Sequence, residues 1–550
     1  MRTVMSKIKY MVMALSSVVL MSSCEDFLNT VPLNEIVLEN FWENENEVNS
    51  VVYSCYSRMS QGDFLTRLML WGELRSDNVV EGAITGSIPY VDNNDQLREM
   101  LEGNIRENYY IADWACFYSV INRCNTVLYY APDVLERDPN FKQSEWLAIE
   151  AEMLTLRSLC YFYLVRSFNR VPLVLEPTID DSKPFVVEAV GADMVLNQIV
   201  VDLEKAAKNA VVEYPETSKE YVYSKARITK QAVWALLADV YLWMERYDEC
   251  IACCEKVIEA KVAEAEELRM NYEGAYPLLA NQRSSSTNNR HSASQLIFYS
   301  GFSFESLFEM PFGYKYDDKR DAFRSYYGAW DRTLGCFAAA PFIAEGDIFA
   351  DTDIRAIESY DAKATNVYPI HKYVAVIGTT ADGKTETPGY SLNRYPNWIF
   401  YRLTDVMLME AEALVERNDA SKGDLRKAFN LSAAVYHRAN LKAEEKDSLT
   451  FKSYNTQELL RDFVLEERQR ELMFEGKRWF DLVRKARREG NNGAMLNLAT
   501  RKYTSPGSVK SKWIKPDMLY LPYHENELKV NPLLEQNPEY ETEESVTTAK

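Results

Sequence analysis

Apolar residues recur at three- and four-residue spacing through seven stretches of the chain: 107–130, 145–168, 191–210, 228–260, 398–417, 423–440 and 456–489. That period puts side chains on one face of an α-helix, so each stretch is predicted to be an amphipathic helix or helix pair. The periodicity lapses in two places, about 79–106 and 262–397, which are predicted to be loop-rich, irregular insertions. Polar runs within them, EGAITGSIPYVDNNDQ at 81–96 and NQRSSSTNNRHSAS at 281–294, read as exposed loops.

The stretch 228–260 shows how the helices pack. Ala235, Ala238, Tyr241 and Leu242 share one face of a first helix. Cys250, Cys254 and Val257 share one face of a second, with the turn at Glu245–Tyr247. A small residue, an aromatic three on and a small residue past the turn resemble a tetratricopeptide repeat, where small side chains let backbones approach. One such pair leaves an apolar face uncovered, so further pairs must stack against it. The predicted fold is mainly α: a tetratricopeptide-like scaffold over about 107–260 and 398–489, interrupted by two insertions.

Composition narrows the function. A chain of 550 residues, 47% hydrophobic, can bury a large core. Its formal charge is −20, and loss of a leader carrying Arg2, Lys7 and Lys9 takes it to −23. Such a surface repels nucleic acid and anionic membrane. That leader is read from Met1 to Ser23, a basic start followed by the apolar run YMVMALSSVVLM, too short for a stable bilayer span. Met21, Ser22 and Ser23 precede Cys24 as in a bacterial lipobox, so Cys24 is expected to be lipidated and to begin the mature chain, 24–550, read as one unit. Two or more acyl chains there give stable anchoring.

Phrases spread along the whole chain carry a specific resemblance. CEDFLNTVPLNEI after the leader, WGELRSDN at 71–78, NRCNTVL at 122–128 and AEMLTLRSLCYFYLVRSFNRVPLV at 151–174 open the series. ARITKQAVWALLADVYL at 226–242, DTDIR at 351–355, KY at 372–373 and RLTDVMLMEAEAL at 402–414 continue it. ERQRELMFEGKRWFDLVR at 467–484 and YLPYHENELKVNPLLEQNPEY at 520–540 close it. In this order they resemble the SusD/RagB family of outer-membrane nutrient-binding lipoproteins. The chain departs from the family's usual residues at Phe168–Asn169–Arg170 and at Leu521–Pro522–Tyr523. The resemblance implies four helix pairs packed as one unit and a SusC-like TonB-dependent transporter as partner, met by the repeats. It also implies a lipid anchor on the outer membrane's extracellular face, where Glu25 and Asp26 resemble a surface-export signal, and a ligand surface built from the insertions.

Catalytic chemistry finds little support in the residues. Glu467, Glu471 and Glu475 share a helix face with Arg468 and Arg478 close by, the spacing of an ion-pair lattice. A glycosidase instead needs two carboxylates facing each other across a cleft. Asp351 and Asp353 with Arg355 read as loop-fixing. Cys250, Cys253 and Cys254 suggest a metal cluster by proximity, but two of them occupy packing positions, where a thiol acts as a small hydrophobe. Four histidines are scattered, and neither an HExxH motif nor a glycine-rich phosphate loop occurs. No cofactor and no enzyme activity are therefore expected.

Binding remains. A sugar offers apolar CH faces ringed by hydroxyls, so its site needs exposed aromatic planes beside Asn, Asp or Arg. Two loop stretches supply that mixture. One holds Tyr90, Asn93 and Asn94; the other holds Tyr314, Tyr316, Tyr326, Tyr327, Trp330 and Arg332. Trp71, Trp234 and Trp243 are expected to pack instead. The expected function is capture of an oligosaccharide or polysaccharide and its delivery to the transporter. Alternatives are capture of peptides, as the RagB branch implies, or a secreted glycoside hydrolase using Asp317 or Asp318 with Asp331.

Overall fold

The computed structural model describes residues 41–540 except 85–87, 90, 92, 180–185, 216–222, 273, 281, 284–289, 292, 300, 312–321, 329–333, 351–352, 362–363, 365, 375, 380–385, 390–396, 418 and 441–448. Cys24 and the leader lie outside the described residues.

Helices dominate. The N-terminal half carries α1 (Glu45–Met59), α2 (Gly62–Met69), α3 (Asn94–Leu101), α4 (Ala115–Arg137), α5 (Gln143–Phe168), α6 (Ala192–Asn209), α7 (Lys230–Trp243) and α8 (Tyr247–Glu267). The C-terminal half adds α9 (Leu403–Glu416), α10 (Lys422–Ala439), α11 (Gln457–Leu472) and α12 (Arg478–Glu489). Packing follows one continuous path: α1 on α4, α4 on α5, α5 on α6, α6 on α7, α7 on α8, α8 on α9, and α9 on both α10 and α11. Each helix covers the apolar face its neighbour leaves open, which is how a stack of helix pairs becomes stable.

The α7–α8 pair carries the small-residue pattern inward. Ala238 and Cys250 are fully buried, and Tyr241 packs its ring while its hydroxyl donates to Glu204 at 2.8 Å. Glu245 turns the corner with φ +60°. Trp71 and Trp243 are core, and Trp234 packs against it half-buried. Cys250, Cys253 and Cys254 are all buried.

Two of the predicted stretches divide. Residues 398–417 begin with a strand, Asn397–Arg402, before α9 starts. WIFYR is rich in aromatic and β-branched side chains, and every residue of the strand is buried, so pleated packing overrides the helical period. Residues 456–489 split into α11 and α12 because Phe474 (φ +64°) and Gly476 (φ +69°) leave helical space. The first insertion is also less irregular than expected, since α3 lies within it. Helix α1 lies outside the predicted stretches, although Asn44 and Glu47 form a capping box before Val48, Val52, Cys55 and Met59 at four- and three-residue spacing.

Two distant phrases lock together beneath the insertions. A π-helical turn, Leu70–Leu74, follows α2 and brings Glu73 to the α11–α12 turn, where its carboxylate accepts from Gly476 N at 3.0 Å. Asp77 receives Arg478 through two bonds of 2.8 and 3.0 Å, and Gln469 donates to Asn78 at 2.9 Å. The Arg75 guanidinium lies 4.3 Å over the Trp479 ring. The two departures from the family's usual residues also meet, Leu521 N donating to Ser167 O and the Tyr523 hydroxyl to Arg170 O, each at 2.8 Å.

Candidate ligand-binding site

Three short strands join the two insertions: β1 (Val79–Glu81), β2 (Phe337–Ala339) and β3 (Tyr368–Pro369), in the order β1–β2–β3 and antiparallel throughout. Val79 pairs with Ala339 and Glu81 with Phe337. The connection continues past the strands, where Gly82 N donates to Cys336 O at 2.7 Å and Ala83 N to Gly335 O at 2.8 Å. Gly82 and Gly335 are required here, because a Cβ on Gly82 would meet Gly335 O at 2.4 Å. An antiparallel bridge between Gly328 and Leu334 brackets residues 329–333. The chain just before the first candidate stretch is therefore hydrogen-bonded to the chain just after the second, about 250 residues away.

The candidate residues fall into three groups. Tyr90, Tyr314, Tyr316, Trp330 and Arg332 lie outside the described residues, as do Asp317, Asp318 and Asp331. Asn93 is exposed and caps α3, its side chain accepting from Gln96 N at 2.9 Å; Asn94 begins that helix, half-buried. Tyr326 and Tyr327 depart from the expectation of an exposed aromatic surface, being 0% and 1% exposed. A ring so enclosed offers no face to a sugar.

Both tyrosines instead support the loops from below. The Tyr326 ring packs edge-on to Phe337, and its hydroxyl donates to Pro89 O at 3.3 Å, joining one insertion to the other. Tyr327 stacks against Tyr373 and donates its hydroxyl to Phe474 O at 2.9 Å, joining the loops to the α11–α12 turn. Sequence reasoning could not separate these two from their neighbours, since residues 312–332 are aromatic and polar throughout. The apolar positions Ala322, Phe323 and Tyr326, which share one side of the short helix Ala322–Tyr326, were the available signal.

Below the tyrosines lies a buried charge lattice. Arg402 is bidentate to Glu475 at 2.7 and 2.9 Å and reaches Glu471 at 2.6 Å. Lys372 donates to Glu475 at 2.7 Å, and Arg355 bridges Asp353, Glu467 and Glu471. Arg438 joins Glu471 to Glu305. Burial by itself lifts the Glu471 carboxyl, but Arg438, Arg402 and Arg355 outweigh it and hold the group well below the ordinary carboxylate range. A carboxylate held this way is a poor proton donor, so it serves structure rather than acid catalysis. Asp353 and Arg355 pair with each other and clamp this segment to α11, as expected of them, while Asp351 lies outside the described residues. A cavity of about 30 Å³ lies beside the lattice, lined by Phe298, Arg355, Lys372, Arg402, Arg438 and Glu471. It has room for about two water molecules. That is far too small for a sugar ring.

Comparison with known proteins fits this geometry. The pattern of the SusD family matches residues 351–540, and that of a second group, described as "Starch-binding associating with outer membrane", matches residues 26–242. The chain belongs to the SusD/RagB family. A SusD-like protein of Formosa agariphila, P38, is 24% identical over 501 residues, covering 86% of this chain and 90% of its own. A SusD superfamily structure from Bacteroides vulgatus superposes with a TM-score of 0.66 at 18% identity, covering 91% of this chain and all of that one. A laminarin-binding SusD-like protein gives a TM-score of 0.59 at 22% identity, covering 90% and 99%. The family is one of glycan-binding proteins associated with the outer membrane.

Proposed function

We propose that the protein is a cell-surface lipoprotein that captures oligosaccharides and delivers them to a SusC-like TonB-dependent transporter. Cys24 would carry the lipid anchor, and the acidic pair Glu25–Asp26 would direct the protein outward. The observation that carries the reading is the pairing of the two insertions. Strands β1 and β2, with Tyr326 bonded to Pro89, bring the chain beside Tyr90 and Asn93 against the chain beside Trp330 and Arg332. An aromatic and polar surface built there from Tyr90, Asn93, Asn94, Tyr314, Tyr316, Trp330 and Arg332 would stack on sugar faces and bond their hydroxyls. The group described as starch-binding and the laminarin-binding relative support a glycan as cargo.

Binding without covalent chemistry suits the lattice, where Glu467, Glu471 and Glu475 are paired with arginine. Stacking tolerates different sugars, and the polar rim sets the preference among linkages. Affinity is expected to be moderate, because cargo held too tightly is not passed on. The test replaces Tyr314 and Trp330 together by alanine. The expected result is at least tenfold weaker glycan binding with an unchanged melting temperature; unchanged binding by the folded variant would remove the site from this surface.

A further inference from the structure

Helix α1 and helix α4 meet through two sulfur atoms. The Sγ atoms of Cys55 and Cys124 lie 4.0 Å apart, 69 residues apart in sequence, and both side chains are fully buried. Met153 Sδ from α5 sits 3.8 Å from Cys55 Sγ, so the two thiols share an apolar pocket. Each cysteine also occupies the inward face of its own helix, between Val52 and Met59 on α1 and between Val120 and Val127 on α4. A disulfide length of about 2.05 Å is about 2 Å shorter than the 4.0 Å between the two sulfur atoms, a gap small enough to make this pair a candidate for bonding.

We propose that Cys55 and Cys124 form a disulfide that fastens α1 to α4 when the chain folds under oxidising conditions. The new bond is Sγ to Sγ. The two thiols give up two protons and two electrons, and a dithiol-forming disulfide, either of an oxidoreductase or of a small molecule such as glutathione disulfide, accepts them as its own S–S bond breaks. Timing follows from burial. Hydrogen bonding to Cys124 and desolvation push the Cys55 thiol up, well above its ordinary value, so the folded pair resists attack and the bond must form before the helices close. Just before α1, Trp42 stacks on Tyr130 of α4. The cross-link would hold α1 on α4 and stop any unpeeling of α1 at residue 55.

The experiment refolds the full chain from denaturant with glutathione disulfide and, in parallel, with dithiothreitol, then alkylates free thiols and maps peptides by mass spectrometry. The expected result is one linked peptide pair, containing Cys55 and Cys124, in the oxidised sample only, with a melting temperature several degrees above the reduced sample. Cys160→Ala should keep the linked pair and Cys124→Ala should lose it. Adding glutathione disulfide to protein already folded in dithiothreitol should yield at least tenfold less of it. Complete alkylation of both cysteines in a correctly folded oxidised sample would overturn the proposal, as would a dominant link from Cys55 or Cys124 to another cysteine.

Discussion

A Cβ placed on Gly72 would lie 2.1 Å from the carbonyl oxygen of Gly476, so the π-helical turn and the α11–α12 turn touch backbone to backbone. That contact lets Glu73 reach Gly476 N and places the Tyr327 acceptor, Phe474 O, under the loops. The two turns thus meet at a point where neither tolerates a side chain. Gly72→Ala is expected to cost more than about 3 kcal/mol, beyond ordinary overpacking, because the obstacle is main chain. Urea unfolding checks this; a cost under about 1 kcal/mol would mean the two turns can separate.

The charge lattice makes its own demand. Arg402 is 1% exposed and satisfies Glu471 and Glu475 together, so Arg402→Met leaves two buried carboxylates short of their partner. Removing one side of a buried pair costs about 3–5 kcal/mol. Arg402→Lys is expected to recover less than half of that, since an ammonium cannot span both carboxylates with a planar fork. Equal stability of the lysine variant and the wild type would contradict the bidentate arrangement.

Glu73 gives the lattice region a pH dependence. Burial raises its carboxyl from 4.5 to about 7, and hydrogen bonds from Asn78, Gly476 and Ser76 offset only part of the rise. Between those values the folded protein keeps a proton the unfolded chain has released, so the stabilisation is complete below pH 4.5 and lost as pH rises through 7. The difference amounts to roughly 3 kcal/mol. Glu73→Gln stays neutral throughout, so unfolding free energies of wild type and variant should diverge by about that amount between pH 4.5 and 7. Parallel curves would show that Glu73 is ionised in the folded state.

Tyr327 supplies a check on the boundary between platform and ligand surface. Tyr327→Phe removes only the hydroxyl that reaches Phe474 O and should cost about 1 kcal/mol while leaving glycan affinity unchanged. A tenfold loss of affinity at unaltered stability would return this residue to the binding surface.

Much of this fold could be read from the chain. The helical period located the scaffold, and Ala238, Tyr241 and Cys250 pack as their spacing indicates. What escaped were features set by non-local contact. The strand Asn397–Arg402 is short and buried on both faces, so its residues show no period-two alternation, and its pairing with Ser306–Pro311 decides the matter. The break at Phe474–Gly476 answers to the Gly72 contact, four hundred residues away in sequence. At the candidate stretches, composition could not say which tyrosines face inward, because Tyr326 and Tyr327 are buried in part by Pro89 and Phe474, both remote in sequence.

The measurement that bears most directly on function is isothermal calorimetry of the chain from Glu25 onward against a panel of oligosaccharides, with peptides alongside. Glycan capture predicts at least one oligosaccharide with a micromolar Kd, weakened tenfold or more by Trp330→Ala. Heat from peptides with none from any glycan would contradict it and identify the cargo as peptide.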